Sequence, residues 1–167
     1  INLLRLLTEI LDTAKVESGK MELHRQSTPP AEILTQAQQE ARRGRAAAIG
    51  DKLAVELQAG MSPIYVDPLR MTQAITHLVN YALDVADGGR VTLHVADGEE
   101  ADNRVLVIDL EHEGALAADD RARVFDGFRR LAGTKGGLNL ALSLAKRIFE
   151  LHGGAIALSD SAGPAGE

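Results

Sequence analysis

Residues 67–89 read DPLRMTQAITHLVNYALDVADGG and carry the clearest signals of one long helix. Asp67 suits the capping position, because its carboxylate accepts from free backbone amides, and Pro68 suits the first helical position. Apolar residues then recur every three or four positions, as on one buried helix face: Met71, Ile75, Leu78, Val79, Ala82, Leu83 and Ala86. Asp87-Gly88-Gly89 ends the pattern, so the sequence predicts a helix over 68–86.

Further elements are predicted on both sides of this helix. Before it, the patterns predict a helix over 1–16 that ends before Gly19, a strand over 21–24, a turn at 27–30, a helix over 31–43 and strands over 53–57 and 63–66. After it, they predict strands over 90–95 and 104–110 joined by a loop at 97–103, a short helix over 117–125, a helix over 138–152 and a strand beginning at 155–158. The strand over 104–110 is apolar on both faces, as a central strand is. These elements predict an α/β two-layer sandwich, with helices on one face of a mixed sheet, preceded by an N-terminal helix.

The first helix has a broad apolar face. Its apolar residues follow the helical spacing: Leu3, Leu4, Leu7, Ile10, Leu11 and Ala14. A helix with so wide an apolar face usually packs against another helix or a second copy of itself. We therefore expect a homodimer through the N-terminal helix.

Composition excludes several classes of function. The chain has 167 residues, 45% of them hydrophobic, which suffices for one domain with a real core. Its formal net charge of −6 argues against nucleic acid as a partner. Cysteine is absent, which excludes disulfides, thiolate catalysis and cysteine-based metal sites. Neither a membrane span nor a signal peptide is visible, so we expect a cytoplasmic module that meets a membrane only through segments outside this chain.

Four short motifs carry a resemblance to a known family. They are LDTAKVESGK at 11–20, DPLR at 67–70, RVFDGFRR at 123–130 and AKRIFELHGG at 145–154. Their order resembles the ATP-binding catalytic domain of sensor histidine kinases, the Bergerat fold, preceded by the last turns of the helical dimerisation domain. The second and third motifs are similar to the entry of the N-box helix and to the F box.

This resemblance implies a domain division and a set of partners. Residues 1–20 correspond to the end of the dimerisation and phosphotransfer helix, and residues 21–167 to the catalytic domain. The implied role is two-component signal transduction, and the implied partner is the receiver domain of a response regulator. Because the chain begins with Ile1, it looks like a segment of a longer protein. The phosphoacceptor histidine of the family would lie before Ile1, so no catalytic residue is assigned here.

The implied magnesium site departs from the family pattern. The N box reads Asn-Leu-Leu-x-Asn-Ala-x-Lys, and its second Asn holds magnesium; here residues 77–84 read HLVNYALD. Tyr81 thus stands at the ligand position and Asp84 at the basic position. Asn80 comes one residue early, and since one residue turns a helix by about 100°, it replaces the amide only if the helix is rewound. Asn80 is therefore either the magnesium ligand or a helix-surface amide.

The first glycine motif of the family, Asp-x-Gly-x-Gly, is also altered. The matching stretch reads Asp109-Leu110-Glu111-His112-Glu113, so a glutamate replaces each glycine. The resemblance makes Asp109 a candidate adenine contact; the alternative is a strand-end carboxylate bonded to a local donor. In this alignment the stretch up to the F box is two residues longer than usual, and His112 is interpreted as part of a solvated loop rather than a metal site.

The second glycine motif of the family places backbone amides against the phosphates. Here residues 139–142 read NLAL in place of Gly-Leu-Gly-Leu. Glycines lie just upstream, at Gly133, Gly136 and Gly137, with Lys135 among them. This loop is a candidate phosphate site, although glycine-rich loops also precede helices without any ligand.

These departures leave three hypotheses. The first is a homologue with a degenerate ATP site that acts as a pseudokinase or scaffold, contacting its own helical domain or a response regulator. The second is a working ATP-dependent protein-histidine kinase with a rebuilt site, using Asp109 for adenine, Asn80 for magnesium and the 133–137 loop for phosphates. The third is a phosphotransfer protein with an upstream histidine. Enzyme activity, and the use of ATP and magnesium as cofactors, stays open at this point.

Overall fold

The computed structural model describes residues 3–43, 52–114, 121, 124–125 and 140–158. Its helices are α1 (Leu3–Glu17), α2 (Pro30–Arg43), α3 (Pro68–Ala86) and α4 (Leu140–Leu151). Its strands are β1 (Gln26–Thr28), β2 (Leu53–Leu57), β3 (Ile64–Val66), β4 (Val91–Glu100) and β5 (Asn103–His112). Among these described residues, no helix is long and apolar enough to cross a membrane.

The strands form a mixed arrangement, as predicted. Strand β4 lies between β2, to which it runs parallel, and β5, to which it runs antiparallel. Strands β1 and β3 form a separate antiparallel pair. Helices α2 and α3 pack on one face of the three-stranded sheet, where Val91, Leu93 and Val95 of β4 are buried. The predicted sandwich, with helices on one face of a mixed sheet, is confirmed.

Helix α3 is the centre of the helical layer. It packs against α2 on one side and against α4 on the other. The inner stripe predicted for α2 is buried as expected: Ile33, Leu34, Ala37 and Ala41. A second apolar cluster joins α3 to α4 through Ala74, Leu142 and Ile148, and Val124 of the F-box motif is buried in it.

The first strand lies further along the chain than predicted. Residues 21–24 are not a strand; β1 follows at Gln26–Thr28 and takes up part of the predicted turn. Met21 is buried in the α3–α4 cluster, so its apolar side chain serves helix packing rather than a sheet. The three residues of β1 are held instead by pairing with Ile64–Val66.

The long hairpin corrects two further predictions. Residues 97–100 and 103 belong to strands, and only Ala101 and Asp102 form the turn, with φ of 48° and 65°. Arg104 stabilises this polar end, since its guanidinium lies 2.7 Å from Asp97 Oδ1 across the hairpin. Among the described strands β4 is central and β5 lies at an edge, with Val107 39% exposed on its outer face. Apolar residues on both faces of β5 therefore did not identify the central strand.

The last part of the chain agrees in part with prediction. Helix α4 begins at Leu140 and ends at Leu151, and Gly153 follows it with φ of 80°. Residues 155–158 are not a strand within the described part of the chain. The glycine-rich loop at 133–137, with Lys135, and most of the helix predicted over 117–125 lie outside the described residues.

Candidate functional site

The start of α3 is held in place by Asp67, which is buried at 4% exposure. Its Oδ1 accepts a hydrogen bond from the backbone amide of Arg70 at 3.0 Å, which is the predicted capping contact. Its Oδ2 accepts from the backbone amide of His24, also at 3.0 Å. The amide of Asp67 itself donates to Nε2 of His152 at the end of α4. One residue thus joins the beginning of α3, the approach to β1 and the end of α4.

The N-box positions lie on α3 between α1 and the end of β5. His77 faces α1, with Nδ1 3.9 Å from Oε1 of Glu9 and a side chain 12% exposed. Tyr81 meets β5, where its ring stands edge-on to the ring of His112, with centroids 6.4 Å apart and planes at 88°. Asn80 and Asp84 are half-buried on the same helix. Helix α3 is regular across this stretch, so Asn80 keeps its angular offset from Tyr81.

The two faces of β5 differ in what they contact. Leu106, Ile108 and Leu110 pack against the core shared with the helices. Because side chains alternate along a strand, the next inward residue is His112, which pairs with the fully buried Val91.

Asp109 and Glu111 lie on the outer face of the sheet. Asp109 stands opposite His94 of β4, and Glu111 opposite Thr92. His94 Nδ1 lies 2.7 Å from Oε2 of Glu56, and its Nε2 lies 3.7 Å from Oε2 of Glu111. Asp109, the candidate adenine contact, is therefore on the face of β5 away from α3.

The chain after β5 turns back onto the end of α3. The amide of Glu113 donates to the carbonyl of Arg90, and its carboxylate accepts from the amide of Arg90 at 2.9 Å. Gly114 then adopts a φ of 92°, and a Cβ there would stand 2.7 Å from the carbonyl oxygen of Val85. Only glycine fits this position, so β5 and α3 approach closely at this end.

Helix α1 packs against α4 and reaches α3 through polar side-chain contacts. Oδ2 of Asp12 lies 3.1 Å from Nη1 of Arg70, and it accepts from Nε2 of Gln73 at 3.0 Å. The side chain of Asp12 is 10% exposed and that of Arg70 is 20% exposed. With Glu9 and Thr13 also buried, the docked face of α1 is mostly polar.

The opposite face of α1 is apolar and open to solvent. Its exposed side chains are Leu3, Leu4, Leu7, Ile10 and Leu11, with 74%, 73%, 52%, 38% and 54% exposure. At about 100° per residue, this stripe lies on the side opposite Glu9, Asp12 and Thr13. Both stripes are visible in the sequence, and the expected homodimer depends on the apolar one.

Two described residues at the magnesium site that the family resemblance implies differ in chemistry from the family pattern. Tyr81 offers a phenol where the family has an amide, and Asp84 offers a carboxylate where the family has a cation. Magnesium prefers carboxylate, carbonyl and water oxygens in near-octahedral geometry. Within the described ranges, no group of three or more His, Cys, Asp or Glu residues is placed to hold a metal ion. The contact between the rings of Tyr81 and His112 joins α3 to β5, and sequence reasoning missed it.

Known proteins resemble this chain in sequence. The profile of the family described as histidine kinase-, DNA gyrase B-, and HSP90-like ATPase matches residues 66–166. Sensor protein DivL of Caulobacter vibrioides is 34% identical over 165 residues, 96% of this chain and 20% of DivL. Alginate biosynthesis sensor protein KinB of Pseudomonas aeruginosa is 29% identical over 96% of this chain and 27% of KinB. The chain thus spans about a fifth to a quarter of these relatives.

Solved structures share the fold. Acinetobacter baumannii histidine kinase AdeS superposes with a TM-score of 0.62 and 20% identity, over 87% of this chain and 66% of that one. Full-length ShkA, solved in complex with AMPPNP, superposes with a TM-score of 0.72 and 21% identity, over 90% of this chain and 31% of ShkA. The family profile covers more than half of the sequence. The chain belongs to the histidine kinase-, DNA gyrase B- and HSP90-like ATPase family, as a homologue of histidine kinase catalytic domains.

Proposed function

We propose that this chain is the catalytic-domain part of a two-component sensor whose ATP site no longer supports kinase chemistry, and that it acts as a dimeric signalling module. The observation that carries the proposal is Tyr81, at the position where the family's N box places its magnesium-binding Asn. Its ring packs against His112 at the end of β5. A tyrosine held in this way presents no amide oxygen to a metal ion.

The neighbouring position strengthens this reasoning. Asp84 adds negative charge where the family has a basic residue, and like charges oppose the binding of a polyphosphate. Asn80 is offset from Tyr81 on a regular helix, so it does not take over the position of the missing amide. The missing magnesium-binding amide and the missing cation would both weaken the binding of a magnesium nucleotide.

The exposed apolar side chains of α1 support dimerisation. We call this surface the leucine face; it consists of Leu3, Leu4, Leu7, Ile10 and Leu11. Five large apolar side chains on one helix face, each more than a third exposed, form a surface that water disfavours. The opposite, polar face is already docked on α3, so the leucine face is the one left for a partner. A second copy of α1 offers the same leucines and matches this face in chemistry. The further partner we propose is the receiver domain of a response regulator, in the cytoplasm.

A competent kinase with a rebuilt site is the second candidate. It is supported by the family's description as ATPases and by the solved AMPPNP complex of ShkA. In that reading Asn80 would hold magnesium, Asp109 would contact adenine, and the 133–137 loop with Lys135 would bind phosphates.

Calorimetric titration with a non-hydrolysable ATP analogue and magnesium distinguishes the two candidates. We expect no binding heat up to millimolar nucleotide from a sample whose circular dichroism shows it to be folded. Micromolar, magnesium-dependent binding would refute the pseudokinase proposal. Transfer of phosphate from ATP to an upstream histidine in the longer protein would refute it as well.

Sedimentation of charged variants tests the dimer. Leu4→Glu and Leu7→Glu place carboxylates on the exposed apolar face, so we expect the double variant to be monomeric at concentrations where the wild-type chain is a dimer. Leu69→Glu is the matched control, because Leu69 is 74% exposed on a different helix. A monomeric wild type, or a dimer that only the control disrupts, would contradict the proposed interface.

A further inference from the structure

We infer that His112, rather than Asp109, is the residue of β5 that faces the nucleotide side of the domain, and that the Tyr81–His112 ring pair closes this side to a magnesium nucleotide. The inference rests on the proposed loss of kinase chemistry and names the two side chains responsible for it. It also changes the alignment of the first glycine motif by three residues.

The first step concerns which side chains of strand β5 point towards the helices. Residues 105–108 are all apolar, but Ile108-Asp109-Leu110-Glu111 alternates, which indicates that the even-numbered residues point towards the helices. In the folded chain Ile108 and Leu110 pack against the helical core, and His112 is the next residue on that side. Asp109 belongs to the other set, opposite His94 on the outer face. A ligand between α3 and β5 would be separated from Asp109 by the sheet.

The second step concerns the glycine that follows. His112-Glu113-Gly114 has the spacing of Asp-x-Gly, with His112 at the Asp position. Gly114 fits the glycine role for a structural reason, since its φ is 92° and a side chain there would meet the carbonyl of Val85. The glutamate at 113 is then the variable residue, and it bonds to Arg90.

The third step concerns the chemistry of the exchanged side chain. His112 Nδ1 lies 3.0 Å from the carbonyl oxygen of Glu113, and because a carbonyl only accepts, Nδ1 donates the proton. Nε2 is then the ring nitrogen that can accept a hydrogen bond from a nucleobase. A carboxylate at this position would offer two negatively charged oxygens instead. The imidazole also contacts the ring of Tyr81. The carboxylate that would accept from an adenine amine is thus absent at His112, and the amide that would bind magnesium is absent at Tyr81. These two side chains contact each other.

A gain-of-function experiment tests the inference. The double variant Tyr81→Asn, His112→Asp supplies both missing groups on the α3 side. We expect it to bind the non-hydrolysable ATP analogue with magnesium at least about tenfold more tightly than the wild-type chain, since one charge-assisted hydrogen bond suffices for that factor. Adding Asp109→Asn to the double variant should leave this affinity unchanged.

The single variants distinguish the two registers. If Asp109 were the base contact, Tyr81→Asn alone would restore binding, and Asp109→Asn would abolish it again; that result overturns the inference. No gain in the folded double variant also overturns it. Magnesium-dependent binding by the wild-type chain refutes the proposed function instead, and loss of that binding in Asp109→Asn but not in His112→Ala would then refute the register too.

A measurement on the unaltered chain keeps the test independent of variant folding. The sequence has two tyrosines and five histidines, so their ring signals can be assigned by NMR. We expect a nuclear Overhauser cross-peak between the rings of Tyr81 and His112 and none between the ring of Tyr81 and that of His94 on the outer face. Absence of the first cross-peak contradicts the ring pair.

Discussion

Replacing Asp67 tests the junction that positions the site. The side chain is buried, its two oxygens accept from the amides of Arg70 and His24 at 3.0 Å, and it is the only capping side chain in the DPLR stretch. Asp67→Ala removes both acceptors. Asp67→Asn keeps one oxygen and brings an amide NH2 group towards the other backbone amide, so it should lose only one of the two bonds.

The expected loss follows from these two bonds. Removal of a capping side chain costs about 1 kcal/mol. Loss of the hydrogen bond from the His24 amide to the carboxylate adds about 1–2 kcal/mol. This value is low for a bond to a charged group because His24 itself is exposed. Asp67→Ala should therefore destabilise the chain by about 2–3 kcal/mol, and Asp67→Asn by about half of that. At roughly 2–4 °C per kcal/mol for a domain of this size, the alanine variant should melt about 5–10 °C lower.

Thermal unfolding followed by circular dichroism, with urea unfolding as a second measurement, gives these differences directly. A melting temperature of Asp67→Ala within about 2 °C of wild type would refute the assigned double role. An asparagine variant as unstable as the alanine variant would also refute this role, because the oxygen that asparagine retains would then contribute nothing to stability.

Two further predictions concern the packing of α3. Gly114→Ala should destabilise the chain more than Gly88→Ala in urea, because both have left-handed φ (92° and 91°) but only a Cβ at Gly114 meets a carbonyl of α3; equal losses would contradict the close approach. Asp12→Ala should cost about 1–3 kcal/mol and increase hydrogen exchange along α1, because it leaves the mostly buried Arg70 without its carboxylate. Glu150→Ala, in an exposed pair, should cost less than about 1 kcal/mol, and a similar loss in both variants would contradict the docking of α1.

The elements that sequence predicted well are those whose signal is local. Asp67-Pro68 fixes the start of α3 within a few bonds, and the spacing of its apolar residues alone defines the buried face. The sequence predicts a loop at the polar end of the hairpin because Asp97, Gly98 and Glu99 have low strand propensity. Pairing across the hairpin overrides this preference, with Arg104 bonded to Asp97.

The candidate site depended on information that is not local. A strand whose residues alternate in polarity reveals its inward face: Val105-Leu106-Val107-Ile108 gives no alternation, but Ile108-Asp109-Leu110-Glu111 does, with Asp109 on the polar side. The motif-based alignment chose Asp109 by residue type, while packing against α3 places His112 on the inward side. A shift of one position along the strand moves every side chain to the other face, so residue type alone did not decide which side chain faces a ligand.

Helix α1 connects the proposed partner surface to the altered site. Its leucine face is open, and its opposite face reaches α3 through Asp12 with Arg70 and Gln73, and through Glu9 with His77. Hydrogen bonds are directional, so the bond from Gln73 to Asp12 favours one position of α1 relative to α3, while α1 also packs against α4. His77 lies one helical turn from Tyr81. A partner that moves α1 therefore acts on the same helix that carries Tyr81 of the Tyr81–His112 pair, which gives the proposed signalling module a physical route for passing on a signal.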